Sequence, residues 1–142
     1  MARTSVASSS TETDMASREE IVTVPDRYIA AVSAGDVDTI MSLYNDNPWV
    51  EDPIGEPAHE GAEGVRAFYQ ALADSGVKIK LTRITPVCVV GNEAAFSFKV
   101  DVDLGEMTIS MVTIDTMVFD DDGRIARMRA FADSQASPDD RD

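Results

Sequence analysis

The sequence predicts an α+β fold in which three N-terminal helices pack on a curved, mostly antiparallel sheet. In the first half of the chain apolar residues recur at helical spacing, whereas in the second half apolar and polar residues alternate. The chain has 142 residues, of which 44% are hydrophobic. This size and composition fit one domain with one hydrophobic core.

The two ends of the chain differ in composition from its middle. Residues 1–16 are rich in Ser and Thr and show no apolar period, so we expect a disordered leader there. We expect the folded domain over residues 17–133 and a flexible tail over residues 134–142.

Each helix carries its own start and stop signals. The first begins with a capping box, Ser17 and Glu20 in SREE, and meets Pro25, where it either restarts with the proline in its first turn or kinks. SAGD ends this helix at Gly35, and Asp36 can cap a second helix, VDTIMSLY. A third helix is predicted in AEGVRAFYQALADSG.

The strands follow the third helix, apart from one short candidate. NDNPWVEDPIGEPAHEG is rich in Pro and Gly, so it is predicted to be mostly loop with WVED as a short strand. Later strands are predicted in VKIKL, TRITPVCVVG, NEAAFSFKVDVDL, MTISMVTIDTMVF and RIARMRAF. Turn residues in LGE and DDDG join the last three into an antiparallel meander.

The charge of the chain limits its partners. The formal net charge is −14 at pH 7, which argues against nucleic acid and against an anionic membrane surface, because both need a basic footprint. A neutral, apolar ligand remains compatible. We find neither a signal peptide nor an apolar run of about 18 residues, so we expect a cytoplasmic protein without a membrane partner.

Several common chemistries lack their residues. The single cysteine, Cys88, excludes an internal disulfide, and we expect it to be a small buried apolar residue. The single histidine, His59, lies in the loop EPAHEG, where we expect a surface imidazole. The sequence has no metal-ligand spacing and no glycine-rich phosphate loop, so we expect neither a metal nor a cofactor. An enzyme built from this chain would have to use carboxyls and tyrosines.

Asp115 is the most unusual acid in the sequence. Alternate residues of a strand share a face, which places Asp115 beside Met111, Met117 and Phe119 on the more apolar face of MTISMVTIDTMVF. A buried carboxyl group without a partner is costly, so it pairs, loses its charge or shifts its pKa.

Asp52 and the three tyrosines are the other candidates. Asp52 follows WVE and precedes a proline, which fits either a turn-initiating acid or a functional one. Tyr28, Tyr44 and Tyr69 fall one on each predicted helix. They either pack on the sheet separately or converge as a hydrogen-bonded network, in which a phenol can donate to a developing oxyanion.

One family shares this order of segments. The segments DRYIAAVSAGDVDTIMSLYNDNPWVEDPIG, GVRAFYQAL, NEAAFSF and TIDTMVFDDDGRIARMRAF resemble the steroid Δ5-3-ketoisomerases over about residues 20–133. That family belongs to the nuclear transport factor 2-like, or SnoaL-like, superfamily of cone-shaped α+β folds, which also includes scytalone dehydratase. Tyr28, Asp52 within VEDPIG and Asp115 within IDTMVF are the specific part of the likeness.

The resemblance implies a role for each candidate. Asp52 matches the general base that moves a proton from C4 to C6 of a 3-oxo-Δ5-steroid. Tyr28 matches the phenol that donates to the C3 oxygen, and Asp115 matches a second donor, a carboxylic acid kept protonated by its apolar site. Tyr44 and Tyr69 match tyrosines that support Tyr28. A homodimer packed through its sheet is implied as well.

The steroid pocket is the part where the sequence departs from the family. The residues expected to line it are Trp49, Met111, Met117, Phe119 and Phe131. The family usually has an aromatic residue at the position of Met117 and often one at Ala132. Two other classes of function stay open at this point: a non-catalytic superfamily member that binds an apolar ligand or a protein, and a related hydrolase, dehydratase or cyclase on another substrate.

Overall fold

The computed structural model describes residues 15–137. Most of the predicted leader, residues 1–14, and the last part of the predicted tail, residues 138–142, lie outside the described residues. The helices are α1 (Arg18–Val22), α2 (Val24–Ala34), α3 (Val37–Leu43) and α4 (Gly61–Asp74).

The local signals of the helices are confirmed. Ser17 and Glu20 form the capping box, with each backbone N–H donating to the side chain of the other residue at 2.9 and 3.1 Å. The first predicted helix is two helices, and Pro25 lies in the first turn of the second, where its missing N–H costs nothing. Gly35 ends α2 in the left-handed conformation, with φ of 68°. The Asp36 side chain then caps α3 by accepting from the N–H of Thr39 at 3.2 Å.

Residues 15–137 contain seven strands, which form one sheet: β1 (Tyr44–Glu51), β2 (His59–Glu60), β3 (Lys78–Arg83), β4 (Cys88–Val90), β5 (Glu93–Asp103), β6 (Thr108–Phe119) and β7 (Ile125–Asp133). Their order is β2-β1-β7-β6-β5-β3, and β4 also pairs with β5. Each of these strand pairs is antiparallel except β1–β7, which is parallel.

Two predictions about the strands are wrong. The segment predicted to be mostly loop contains an eight-residue strand, β1, because pairing with β7 outweighs the poor strand propensity of its Asn, Asp and Pro residues. Cys88 is exposed, since strand alternation turns its neighbour Val89 inward instead.

The core lies between the helices and one face of the sheet. As the alternation predicts, β5 buries Ala94, Phe96, Phe98 and Val100 on this face. The matching face of β6 buries Thr113, Asp115, Met117 and Phe119. The helices cover these rows with buried apolar side chains, among them Ile21, Val24, Ile29, Ile40 and Val65.

Candidate active site

Asp115 is placed by the register of three strands. It lies opposite Phe96 of β5 and Ala130 of β7. Residues opposite one another in adjacent strands share a face, so all three lie under the helices. The carboxyl group is 2% exposed. The sheet thus carries an acid in the middle of its covered face.

The surroundings of Asp115 favour its neutral form. Its Oδ1 atom is buried and, among the described residues, has no hydrogen-bond partner. Burial raises the pKa of Asp115 well above its ordinary value, and the negative charge of Asp52 raises it further. A protonated carboxyl group can donate a hydrogen bond, whereas a carboxylate can only accept.

Three tyrosine hydroxyls meet beneath the helices. Tyr69 of α4 lies between the other two, with its Oη 2.7 Å from that of Tyr28 on α2 and 2.6 Å from that of Tyr44. Tyr44 is the first residue of β1, so only two of the three tyrosines are helical. The Tyr28 hydroxyl therefore reaches the Tyr44 hydroxyl through that of Tyr69, while the rings of Tyr28 and Tyr44 pack edge to face with centroids 6.5 Å apart. Burial raises the pKa of all three phenols well above the ordinary value, which keeps them as neutral donors.

Asp52 directly follows β1, and residues on both sides of it contact β7. Glu51 pairs with Arg129 of β7 at 2.8 Å. Beyond the cis Asp52–Pro53 bond, the N–H of Ile54 donates to the carbonyl of Ala130 at 2.9 Å. Since Ala130 lies opposite Asp115, these two contacts carry Asp52 to the same region of the sheet. Burial raises the pKa of Asp52 to about 6, against a smaller lowering effect of His59.

A single cavity of about 300 Å³ joins the two acids with Tyr28 and Tyr69. Its polar lining comes from Tyr28, Asp52, Tyr69, Thr113 and Asp115. The rest of the wall is apolar and consists of Val32, Pro53, Phe68, Leu72, Ile79, Leu81, Phe98, Val100, Val102, Met111, Ala130 and Ala132. The arrangement presents a carboxyl base and buried O–H donors to an otherwise apolar ligand space.

Four of the five residues expected in the pocket do not line this cavity. Met111 does. Met117 and Phe119 share the face of Asp115 but are packed in the core, 0% and 2% exposed. Phe131 is 48% exposed because it alternates with residues that face the cavity and therefore points to the opposite side of the sheet.

Trp49 also lies away from the cavity. It is partly buried on β1, and the guanidinium of Arg127 lies 4.3 Å from the centre of its ring. Arg127 lies four residues before Phe131 on β7, so both side chains point to the outer face of the sheet. Trp49 is opposite Arg127 in the β1–β7 pair, and the cation–π pair therefore lies on that outer face. Trp49 packs there instead of lining the pocket.

Sequence analysis missed most of the apolar wall. On β7 the wall uses Ala130 and Ala132, so the end of the cavity that faces them is lined by small side chains. On β5 it uses Phe98, Val100 and Val102, which the alternation had already placed on one face. The missing information was the β5–β6 register, which puts Phe98 opposite Thr113 and Val100 opposite Met111.

The part of the chain that the structure describes has neither a metal-binding cluster nor a membrane-spanning helix. Within residues 15–137, no group of three or more His, Cys, Asp or Glu side chains is arranged to hold a metal ion. None of the helices in this part of the chain is long and apolar enough to cross a membrane.

Comparison with known proteins shows the family of the chain. Residues 26–128 match the model of the SnoaL-like domain. The chain belongs to the SnoaL-like family. It is 41% identical over 105 residues to the steroid Delta-isomerase of Nocardioides simplex, an alignment that covers 74% of this chain and 83% of that protein. The chain is thus a homologue of a steroid Delta-isomerase.

A solved structure supports the fold alone. SalBIII, an epoxide hydrolase/cyclase-like enzyme in pyran ring formation in the polyether salinomycin, superposes with a TM-score of 0.68. The match covers 81% of this chain and 92% of SalBIII at 21% sequence identity. The likeness confirms helices packed on an open, curved sheet, as predicted.

Proposed function

We propose that this protein is an isomerase that converts 3-oxo-Δ5-steroids to the conjugated 3-oxo-Δ4 isomers. One observation carries the proposal: Asp52, Tyr28 and Asp115 all line one apolar cavity. Proton abstraction beside a ketone creates a dienolate, which needs a base for the carbon acid and donors for the oxygen. The cavity contains both.

Asp52 is the base in this proposal. It removes a proton from C4 and delivers it to C6. The same carboxyl group therefore acts first as the base and then as the acid, and the reaction needs no second proton carrier. A pKa of about 6 leaves most of the carboxyl ionised at neutral pH, while making it a stronger base than an exposed aspartate.

Tyr28 and Asp115 are the two donors to the C3 oxygen. Both are 3% exposed or less, so their hydrogen bonds act where water does not compete. The orphaned Oδ1 of Asp115 and its raised pKa fit a protonated acid that lacks a protein partner. Ketosteroid isomerases are the known example of a neutral Asp used in this way, and its role here is taken from that family.

Tyr69 and Tyr44 hold Tyr28 in place. If Tyr28 donates to the substrate, its oxygen accepts from Tyr69, and Tyr69 in turn accepts from Tyr44, so the two short contacts form one directed chain. Hydrogen bonds in such a chain polarise one another, which makes Tyr28 a better donor to an oxyanion.

The remaining wall fits the hydrocarbon skeleton of a steroid. Twelve apolar residues form the rest of the cavity wall. Burying apolar ligand surface there gives affinity, and the few polar groups fix the orientation of the ketone. The net charge of −14 is compatible with such a neutral substrate.

The test is the ultraviolet absorbance of the conjugated enone formed from a Δ5-3-ketosteroid. We expect activity in the wild-type protein and a loss of about 10²–10⁴ in kcat for Asp52→Asn, the usual range for a general base. Binding of a phenolic steroid, which mimics the dienolate, should persist in that variant. If the wild-type protein binds the phenolic steroid but forms no enone, the chain is a binding protein and the proposal is wrong.

We also propose that the protein is a homodimer joined through the outer face of its sheet. Ile114 and Phe131 are cross-strand partners on that face and are 44% and 48% exposed, so they form an apolar pair that a second sheet can cover. Light scattering should report twice the chain mass of 15.4 kDa. A single-chain mass at micromolar concentration contradicts this assembly.

A further inference from the structure

Thr113 is a polar residue of the cavity wall to which the proposed reaction gives no role. It lies on the covered face of β6, two residues from Asp115, and is 4% exposed. It lines the same cavity as the acids. A buried hydroxyl group normally has a hydrogen-bond partner, because its transfer out of water without one is costly. A partner for the Thr113 hydroxyl is therefore expected.

The surrounding protein does not supply this partner. Within residues 15–137, the Thr113 hydroxyl makes no hydrogen bond to a side chain or to the backbone. The hydroxyl of Ser97 on β5 donates to the carbonyl oxygen of Thr113 at 3.2 Å and does not reach its side chain. In the neighbouring strands, Thr113 lies opposite Phe98 and Ala132, whose side chains have no polar atom. The hydroxyl is thus left for a ligand.

The position of Thr113 along the cavity decides which part of a ligand it meets. On β6 the cavity is lined by Asp115, Thr113 and Met111, and Val100 and Val102 of β5 extend the wall in the same direction. At about 3.4 Å per residue, the three β6 side chains span about 14 Å, a length similar to that of the fused rings of a steroid. With the C3 oxygen at Asp115, Thr113 lies about 7 Å further along the strand, beside the middle rings.

The β7 side of Thr113 has room for a substituent. Ala132, its partner on β7, carries only a methyl group, and Ala130 on the same face is equally small. Ala132 is exposed although it lines the cavity, so the cavity opens toward solvent on this side. On the other side of Thr113, the ring of Phe98 fills the space. A polar group that projects from the middle of the ligand therefore fits beside the hydroxyl, toward β7.

We infer that Thr113 is a specificity-determining residue: its hydroxyl hydrogen-bonds an oxygen substituent at C11 of the steroid, and so favours 3-oxo-Δ5-steroids that are hydroxylated on ring C. The inference rests on the proposed isomerase function and names the substrate class of that site. Ring C is a middle ring that carries none of the reacting atoms, C3 to C6, so a substituent there leaves the dienolate chemistry unchanged. A threonine hydroxyl both donates and accepts, and so can pair with a ligand hydroxyl.

The hydroxyl of Thr113 changes discrimination between substrates more than rate. It touches no reacting atom, so its bond to the substrate has the same strength in the ground state and the transition state and acts on KM. A steroid without the C11 hydroxyl leaves the Thr113 hydroxyl buried against hydrocarbon, which costs binding energy. The site therefore penalises the unsubstituted steroid.

The kinetic test compares Δ5-3-ketosteroids that carry an 11α- or 11β-hydroxyl with the same steroid without it. Thr113→Val keeps the branched shape and removes the hydroxyl. We expect the kcat/KM of the better hydroxylated epimer, divided by that of the unsubstituted steroid, to fall about tenfold through KM, the usual effect of one hydrogen bond. Thr113→Ser keeps a hydroxyl and should keep the wild-type ratio. Thr116→Val, the same change on the outer face of β6, is the matched control and should leave the ratio unchanged.

A second measurement does not depend on turnover. Calorimetric titration with the corresponding Δ4-3-ketones gives the ratio of the dissociation constants, which should show the same tenfold change in Thr113→Val. A wild-type protein without preference for either epimer, or a Thr113→Val variant that loses equally with all three steroids, overturns the inference, as does a wild-type protein that binds none of them. If the wild-type protein binds the steroids but forms no enone, the proposed function fails, while the binding ratios still decide the role of Thr113.

Discussion

Asp52 should make the protein less stable at the pH at which it is active. Its pKa is 3.8 in the unfolded reference and about 6 in the folded protein. A raised folded pKa means that the fold favours the protonated form, so the stabilisation is complete below the unfolded pKa and is lost as the pH rises through the folded pKa. A difference of about 2 units, at 1.36 kcal/mol each, corresponds to about 3 kcal/mol.

The substitution Asp52→Asn isolates this effect. The amide does not titrate, so whatever its packing costs is the same at every pH. The free energy of unfolding of the variant, measured relative to the wild type, should therefore increase by about 2 kcal/mol between pH 4 and pH 8, because part of the full effect is already lost at pH 4, just above the unfolded pKa. This change is a large share of the free energy of unfolding of a typical domain, which is about 5–15 kcal/mol. Relative to the wild type, the variant should be more stable at neutral pH than at pH 4 while losing most of its activity, because the charge that it lacks is the base.

Urea unfolding at pH 4, 6 and 8 measures the effect, with the fluorescence of the single tryptophan, Trp49, as the probe. Asp46→Asn, an exposed carboxyl on the same strand, is the matched control and should show no comparable change between these pH values. If the difference between Asp52→Asn and the wild type is the same at pH 4 and pH 8, the Asp52 carboxyl is not held in an apolar environment. The assignment of Asp52 as a base whose pKa is raised by burial is then wrong.

The other predictions concern the two donors. Tyr28→Phe should lower kcat by about 10²–10³, the usual cost of one oxyanion donor, whereas Tyr44→Phe, which is two hydrogen bonds from the substrate, should cost less. Equal effects of these two substitutions would show that Tyr28 acts only as part of the network. For Asp115, activity should rank wild type above Asn and Asn above Leu, because Asn keeps a donor and Leu does not. The raised pKa of Asp115 means that its stabilisation is lost as the pH rises above the unfolded value, so Asp115→Leu should gain stability relative to the wild type from acid to neutral pH. A Leu variant that unfolds beside a fully active, fully stable Asn variant would make Asp115 a structural hydrogen-bonding residue.

Local physics was enough to predict most helix ends and the faces of the long strands, although Tyr44 was predicted to be helical and lies in β1. The capping box at Ser17 and the left-handed Gly35 each depend on a few adjacent residues, whereas the sequence left a restart and a kink at Pro25 equally open. The burial of Asp115 follows in the same way, because strand alternation needs only the sequence of β6 itself. The roles of Asp52, Tyr28 and Asp115 came from family resemblance, since no spacing along the chain connects them.

Contacts between distant segments were decided by the tertiary structure. The parallel pairing of β1 with β7 turned a segment rich in Pro and Asn into a strand and carried Asp52 to the face of Asp115. The register of β7 directs Ala132 into the cavity wall and Phe131 to the opposite face of the sheet. A shift of the register by one residue would exchange the two faces. The sequence likewise predicts His59 to be a surface loop residue, whereas in the structure its ring stacks on Phe68 of α4. The reason is physical: alternation and capping are properties of neighbours in the chain, whereas register and stacking join residues that only folding brings together.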